Sequence, residues 1–141
     1  MEIMVVVVII GILASIAIPT IARLKRNAQN SRFINDLRAF SQAFETYAMK
    51  NGTWPPNAGN GVVPTGMSGE FRDANWTAVN SVGGRWNWDY KYNGITASIS
   101  ATGVTADDTQ MTEIDAKMDD GNLATGNFIK ASGRFMYILQ K

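Results

Sequence analysis

Cysteine and histidine are both absent from the 141 residues of this chain. Without cysteine the chain can form neither a disulfide nor a thiolate metal site, and it has no thiol nucleophile. Without histidine it cannot use any catalytic arrangement that depends on an imidazole base. The sequence shows no other nucleophile–base pair and no phosphate-binding loop, so we expect a protein that is not an enzyme.

A large net charge is also lacking, because 13 basic and 12 acidic residues leave the chain at +1. We therefore expect no overall attraction to nucleic acid. The charges are nevertheless segregated into a basic stem, residues 23–38, and an acidic segment, residues 107–120. Two solvated faces are one interpretation of this pattern. The other is that the stem of one subunit contacts the acidic segment of another.

Charge is missing altogether from Ile3 to Ile18, which lie between Glu2 and Pro19. As a helix, residues 3–22 extend about 30 Å, the thickness of a hydrocarbon core. A buried strand is the alternative, but such strands usually stop at four to eight residues. A cleavable secretory signal is another, but it carries its basic residues before the apolar run rather than after it. We predict a membrane-spanning helix.

The string EIMVVVVIIGILASIAIP, Glu2 to Pro19, resembles the N-terminal helix of type IV pilins and type II secretion pseudopilins. The resemblance is carried by the acid, by Gly11 and by the IGILASIAIP core that ends at the proline. Members of that family are made with a short basic leader, whereas Glu2 here follows Met1 directly. We therefore expect the leader, its cleavage site and the first processed residues to be missing from this sequence.

This resemblance implies a structural subunit of a helical filament, closest in character to a major pseudopilin that supports protein export by type II secretion. The alternatives are a surface type IV pilin for adhesion or motility, and a membrane-anchored binding domain that does not polymerise. Glu2, Gly11 and Pro19 are the implied assembly residues. The implied partners are further copies of the chain, minor pilins, a prepilin peptidase, an assembly ATPase with its platform protein, and an outer-membrane secretin.

The implied location is the bacterial inner membrane with the globular domain in the periplasm, or outside the cell in a surface pilus. The positive-inside rule gives the opposite orientation, because Arg23, Lys25 and Arg26 follow the span and would be retained in the cytoplasm. We expect the orientation that the resemblance implies. The basic leader of the family precedes the span, and the positive-inside rule would count its charges if the leader were in this sequence.

A stripe of large apolar residues at steps of four and three predicts that the helix continues far beyond Pro19: Phe33, Leu37, Phe40, Phe44 and Tyr47. We expect a kink at Pro19 and a helix end at Asn51-Gly52. The chain then divides into a membrane or filament-core segment, 1–22, an amphipathic half of the same helix, 23–52, and a globular region, 53–141.

The pair Asn93-Gly94 between two alternating runs predicts a hairpin with a type I′ turn, in which both turn residues have positive φ. The two-residue turn predicts four apolar cross-strand pairs on one face, which we expect to cover the helical stripe: Tyr92–Ile95, Tyr90–Ala97, Trp88–Ile99 and Trp86–Ala101. The opposite face is polar.

A short helix capped by Asp108 or Thr109 is expected to run to about Met118. A second hairpin follows around Ser132-Gly133. The predicted fold is therefore α+β, with a long N-terminal helix packed on a small antiparallel sheet, which is the pilin-like arrangement.

The candidate ion site consists of Asp119, Asp120 and Asn122, which supply hard oxygen ligands around a glycine turn. Lys117 stands where an EF-hand would need a ligand, so an ordinary acidic helix end is the alternative. The resemblance implies a calcium-binding loop near the C-terminus, and we expect no other cofactor. The four tryptophans are predicted to pack in the domain rather than to bind a ligand: Trp54, Trp76, Trp86 and Trp88.

Overall fold

The computed structural model describes residues 2–141, so that Met1, with which the predicted first segment begins, lies outside the described residues. Three helices and four strands follow one another in chain order: α1 (Glu2–Asn51), α2 (Asp73–Thr77), β1 (Arg85–Tyr92), β2 (Ile95–Thr102), α3 (Asp108–Met118), β3 (Phe128–Ala131) and β4 (Arg134–Gln140). The strands form one antiparallel sheet in the order β1-β2-β4-β3. The predicted α+β class is confirmed.

Helix α1 is continuous over 50 residues, with Pro19 in its interior, and is therefore about 75 Å long. Its two halves differ completely in burial. None of its residues before Asn30 is buried, whereas eight between Asn30 and Phe44 are. Only the second half of α1 thus belongs to the core of the domain, and the kink at Pro19 stays a prediction.

Aromatic contacts fasten the second half of α1 to β1. The Phe33 ring stacks on Trp86 with centroids 4.8 Å apart, and Phe44 stacks on Trp88 at 4.0 Å. Between them Phe40 meets Trp76 and Trp86 edge-on, at 5.0 and 5.2 Å. The edge-on contacts of Phe40 are an arrangement that the quadrupoles of aromatic rings favour. The apolar stripe and the three buried tryptophans are therefore core, as predicted.

The first hairpin has the predicted register, from Tyr92 opposite Ile95 to Trp86 opposite Ala101. Its turn is formed by Asn93 at φ 53° and Gly94 at φ 79°, the positive values that a type I′ turn requires. The second hairpin likewise turns at Ser132 and Gly133, with φ 52° and 73°. Both turns follow from local chemistry, since asparagine, serine and glycine tolerate this region of backbone space better than branched residues.

Tyr92 departs from the prediction that it shares the helix-covering face with Trp86 and Trp88. Its ring lies over the guanidinium group of Arg134, 4.7 Å from the ring centroid. That guanidinium donates to Asp89, a residue of the opposite face. The reason is Lys91, which adopts φ 55° and interrupts the alternation of side chains just before Tyr92.

The first hairpin also bends over the polar face of the sheet. The Asn93 side chain donates to Ser132 at 3.2 Å, although β2 and β4 pair with their two turns at opposite ends. A register shift between Ala97 and Ser98 and the left-handed Lys91 accommodate the bend. The polar face is consequently enclosed, and Asp89 is 2% exposed.

Helix α3 begins one residue earlier than predicted. Its cap is Asp107, whose side chain accepts from the backbone N–H of Gln110 at 2.7 Å, rather than Asp108 or Thr109. Asp107 has the extended backbone of a cap residue, which leaves Asp108 in the first turn and free to pair with Lys130. The helix ends at Met118, as expected.

Gly94→Val should lower the free energy of unfolding by about 1–2 kcal/mol, because a branched side chain is strained at positive φ. Gly59→Val is the matched control, since neither glycine has an obstructing neighbour and Gly59 lacks the positive φ. Thermal unfolding of the full chain in detergent, followed by circular dichroism, provides the measurement. Equal melting temperatures for the two variants contradict the predicted turn.

Candidate functional site

The first half of α1 presents an apolar surface that no other part of residues 2–141 covers. Every large apolar residue from Ile3 to Leu24 is at least 52% exposed. By length and composition α1 is also long and apolar enough to cross a membrane, alone among the described helices. Such a surface requires lipid or the helices of other molecules around it.

The predicted assembly residues Glu2, Gly11 and Pro19 lie along this half of α1 and do not converge. Glu2 is exposed in the first turn of the helix, where the helix dipole favours a negative charge. Apart from its two chain neighbours and the adjacent backbone of α1, no described atom lies within 4 Å of the position that a Cβ at Gly11 would take. Glu2 and Pro19 are about 25 Å apart at 1.5 Å per residue. They can therefore act together only through molecules that contact the whole helix.

Two hydroxyl groups in the apolar half satisfy their own hydrogen bonds. Ser15 donates to the Ile12 carbonyl at 2.7 Å, and Thr20 donates to the Ile16 carbonyl at 3.2 Å. Polar groups that are bonded within their own helix can enter an apolar environment at little cost. This half of α1 is thus suited to lipid and to a dry helix bundle alike.

A second candidate site lies at the C-terminal end of α3, where three carboxylates converge. One oxygen each of Asp115, Asp119 and Asp120 lies within 4.8 Å of the others. The sequence predicted Asp119, Asp120 and Asn122 as ligands. The structure brings the first two together with Asp115, while the side chain of Asn122 accepts from the backbone N–H of Ala124 in the following turn.

The loop after α3 is folded around two of these carboxylates. Asp119 accepts from the backbone N–H groups of Asn127 and Phe128, the latter at 3.1 Å, and so holds the beginning of β3. Asp120 accepts from the Asn122 N–H and from the Thr125 hydroxyl. These two hydrogen bonds hold the pKa of the Asp120 carboxyl below its usual range.

Asp115 has the opposite environment. Its side chain is completely buried, and within residues 2–141 neither oxygen has a hydrogen-bond partner. Burial raises the pKa of this carboxyl, and the charges of Asp120 and Asp119 raise it further, whereas the nearby backbone of Gly121 and Asn122 acts weakly the other way. A buried carboxylate beside two others is unfavourable unless a proton or a cation neutralises it. The arrangement is chemically suited to a divalent cation with oxygen ligands.

The basic stem and the acidic segment meet within one chain through Arg26. Its guanidinium lies 3.0 Å from Glu113 and 3.5 Å from Asp107. Asn30 adds a hydrogen bond to the same Glu113 oxygen at 3.1 Å. Because Arg26 pairs with carboxylates of its own chain, it is not available to the acidic segment of another subunit. The hypothesis of attraction between subunits therefore applies only to the other basic residues of the stem.

Sequence reasoning missed Asp115 and the Arg26–Glu113 pair. The helical spacing offered a signal for Asp115, which precedes Asp119 by one turn and therefore faces the same way. No sequence signal pointed to the pairing of Arg26 with Glu113, because the two are 87 residues apart.

Comparison with known proteins identifies relatives among secretion proteins. The chain is similar to proteins named type II secretion system core protein G from Klebsiella pneumoniae (38% identical), Aeromonas hydrophila (36%) and Escherichia coli K12 (38%). Each match extends over 55 residues, which is 39% of this chain and 38–39% of the relative. The chain thus spans about two fifths of the length of the curated relatives it matches.

No family model matches the chain, and no solved structure does. The matches to the secretion proteins confirm the resemblance to the pilin and pseudopilin family. The relatives and the single apolar N-terminal helix fit a membrane-anchored protein.

The raised pKa of Asp115 predicts how stability depends on pH in a chelator. The pKa of this carboxyl is higher in the folded state than its unfolded value near 3.8, so below pH 3.8 the group is protonated in both states and does not destabilise the fold. Stability is then lost as pH rises through the folded value, because ionisation is easier in the unfolded chain. Asp115→Asn removes this ionisation, so the melting temperature of the variant should rise relative to that of the wild type as the pH increases above 3.8. Parallel pH curves of the two proteins contradict the assignment.

Proposed function

We propose that this chain is a structural subunit of a helical filament, most closely a pseudopilin that supports protein export by type II secretion. The first half of α1 supports this proposal most directly, because its large apolar side chains from Ile3 to Leu24 stay exposed in the described part of the chain. The similarity to type II secretion system core proteins G supports the same conclusion. The role is structural, since a filament subunit acts by packing rather than by catalysis.

In the proposed cycle the membrane stores the subunit before assembly. Each Val, Ile or Leu near the centre of the span favours insertion by about 0.3–0.6 kcal/mol. In the filament the same surface leaves lipid and packs against the α1 helices of neighbouring copies. Lipid chains are as apolar as the side chains they touch, so close packing must drive this exchange. Gly11 suits that packing, because nothing protrudes from the helix at its position.

Glu2 provides the specificity of the proposed assembly. A carboxylate at the edge of the hydrocarbon is unfavourable if it stays unpaired, so it should meet a positive group. The N-terminal ammonium of a neighbouring subunit is the partner that the family resemblance implies. Attraction is strong in such a low-dielectric setting, and a misregistered neighbour leaves the charge unpaired.

The proposed partners and orientation follow from this role. A prepilin peptidase, an assembly ATPase with its platform protein, minor pilins and an outer-membrane secretin would act on the subunit, and the domain would face the periplasm. Protease accessibility of the domain in spheroplasts tests the orientation. Deletion of the gene separates the alternatives, because loss of secreted enzymes favours the pseudopilin and loss of motility or adhesion favours a surface pilin.

We also propose that the carboxylates of Asp115, Asp119 and Asp120 bind calcium. The buried, unpartnered Asp115 supports this proposal, because a cation would offset the cost of its charge. Calcium accepts the flexible oxygen coordination that carboxylates and loop carbonyls offer. Asp119 also holds the first residues of β3, so a cation there would strengthen the attachment of the loop to the sheet.

Replacing Glu2 by Gln should leave membrane insertion intact and reduce the yield of filaments severalfold, since only the charge is removed. The full-length precursor and the variant are compared for abundance in the membrane fraction and for filaments sheared from the cell and seen by electron microscopy. Glu45→Gln, an exposed acid of the same helix in the domain, serves as the control. Equal filament yields from wild type and Glu2→Gln exclude the pairing role.

Millimolar calcium should raise the melting temperature of the full chain in detergent, because a ligand that binds only the folded state stabilises it by about 2.7 kcal/mol at a hundredfold excess over its dissociation constant. Asp115→Asn should abolish the increase. Asp108→Asn should retain it, since Asp108 pairs with Lys130 outside the cluster. An increase that survives in Asp115→Asn, or none in the wild type, contradicts the calcium site.

A further inference from the structure

A groove lies between the stem and α3, directly beyond the apolar half of α1. It encloses about 510 Å³ and is lined by Ala22, Arg23, Arg26, Asn27 and Glu113. Two guanidinium groups and one carboxamide thus border the same space. The only carboxylate in this lining, Glu113, already accepts hydrogen bonds from Arg26 and Asn30. The groove therefore offers donors to an anion.

The position of the groove along α1 decides what can reach it. If residues 3–22 span the hydrocarbon, as the proposed function requires, the next helical turn lies among the lipid headgroups. Arg23 and Arg26 then stand at the level of the phosphates. Helical spacing places Arg23, Arg26 and Asn27 on one side of the helix, at i, i+3 and i+4. Lys25 is turned about 200° away from Arg23 at 100° per residue.

One guanidinium of the groove has no carboxylate partner within residues 2–141. Arg23 is exposed and has no ion-pair partner among residues 2–141. Arg26 is bound through Nε to Glu113 and only distantly through one terminal nitrogen to Asp107. It is thereby held rigid while terminal N–H groups remain to be satisfied. A guanidinium fixed in this way suits the tetrahedral oxygens of a phosphate.

We propose that this groove binds the phosphodiester headgroup of a phospholipid with net negative charge. The phosphate accepts from Arg23, Arg26 and Asn27, while the acyl chains lie along exposed apolar side chains on the same side of the helix, Ile16 and Ile12. A free phosphate matches the cations but leaves this adjoining apolar surface bare. The continuity of cationic groove and apolar helix therefore selects a lipid.

Such a lipid connects the domain to the membrane surface. Arg26 joins α1 to α3 through Glu113, so a headgroup held by Arg26 also fixes the height and tilt of α3 above the bilayer. The contact has to be released when a subunit leaves the membrane. An anionic headgroup is thus a barrier to extraction as well as an anchor.

The test uses the full chain inserted in nanodiscs that contain equal amounts of phosphatidylglycerol and phosphatidylcholine. After transfer to a mild detergent, native mass spectrometry measures the ratio of the two lipids that stay bound. The wild type should retain phosphatidylglycerol in excess. Arg23→Gln should lower the ratio about fivefold, the effect of one cation at an anionic surface.

Two control variants make the measurement specific to the groove. Lys25→Gln removes one positive charge at nearly the same height as Arg23 but outside the groove. Arg32→Gln removes one positive charge about 14 Å from Arg23 along the helix. Both should change the ratio less than twofold. An unchanged lipid ratio in Arg23→Gln overturns the proposal, because the groove then holds no lipid site. A fivefold lower ratio in Lys25→Gln also overturns it, because the preference then comes from a diffuse effect of charge.

Two further outcomes would identify a different occupant. If millimolar glycerol 3-phosphate displaces phosphatidylglycerol, the groove is a site for a soluble anion, and the lipid proposal is wrong. If Arg23→Gln keeps the wild-type lipid ratio and loses filaments, Arg23 contacts a neighbouring subunit instead. A chain that does not enter nanodiscs at all refutes the proposed membrane span, and the headgroup site with it.

Discussion

The structure depends on one continuous helix that cannot bury its whole length within its own chain. An α-helix satisfies its backbone hydrogen bonds internally, so the first half of α1 keeps its conformation without neighbouring protein. Its side chains remain apolar and uncovered, each large one from Ile3 to Leu24 at least half exposed. The second half forms one wall of the domain core. A rigid connection therefore joins a surface that needs outside partners to a domain that does not.

Aromatic stacking attaches α1 to one face of the sheet, and a buried polar network stabilises the opposite face. Phe33 and Phe44 stack on tryptophans of β1. On the opposite face the Arg134 guanidinium lies 2.9 Å from the 2% exposed Asp89, and Ser100 bonds the same carboxylate. Removing one partner of such a buried pair typically costs about 3–5 kcal/mol. The bent first hairpin is thus specified by polar groups as well as by apolar burial.

The two ends of α3 carry the chemistry of the charged residues. At its N-terminal side, Asp107 and Glu113 neutralise Arg26 and connect α3 to the stem. At its C-terminal side, Asp115 lies beside two further carboxylates and has no hydrogen-bond partner among the described residues. The two carboxylates at the first end have a cationic partner, whereas within residues 2–141 no salt bridge involves the three at the other end. This asymmetry within one short helix is why the acidic segment supports a cation site at one end only.

Local pattern alone determined the extent of α1, the register of the first hairpin, the turn of the second and the class of the fold. Apolar periodicity and the turn chemistry of Asn93-Gly94 act between residues that are close along the chain, so a sequence displays them directly. Only the tertiary structure decided the side to which Tyr92 turns, the pairing of Arg26 with Glu113 and the isolation of Asp115. Each of these depends on contacts across the folded domain, as between Arg26 and Glu113, 87 positions apart. Whether a charged group finds a partner or is buried without one is settled by packing, and residue order does not encode it locally.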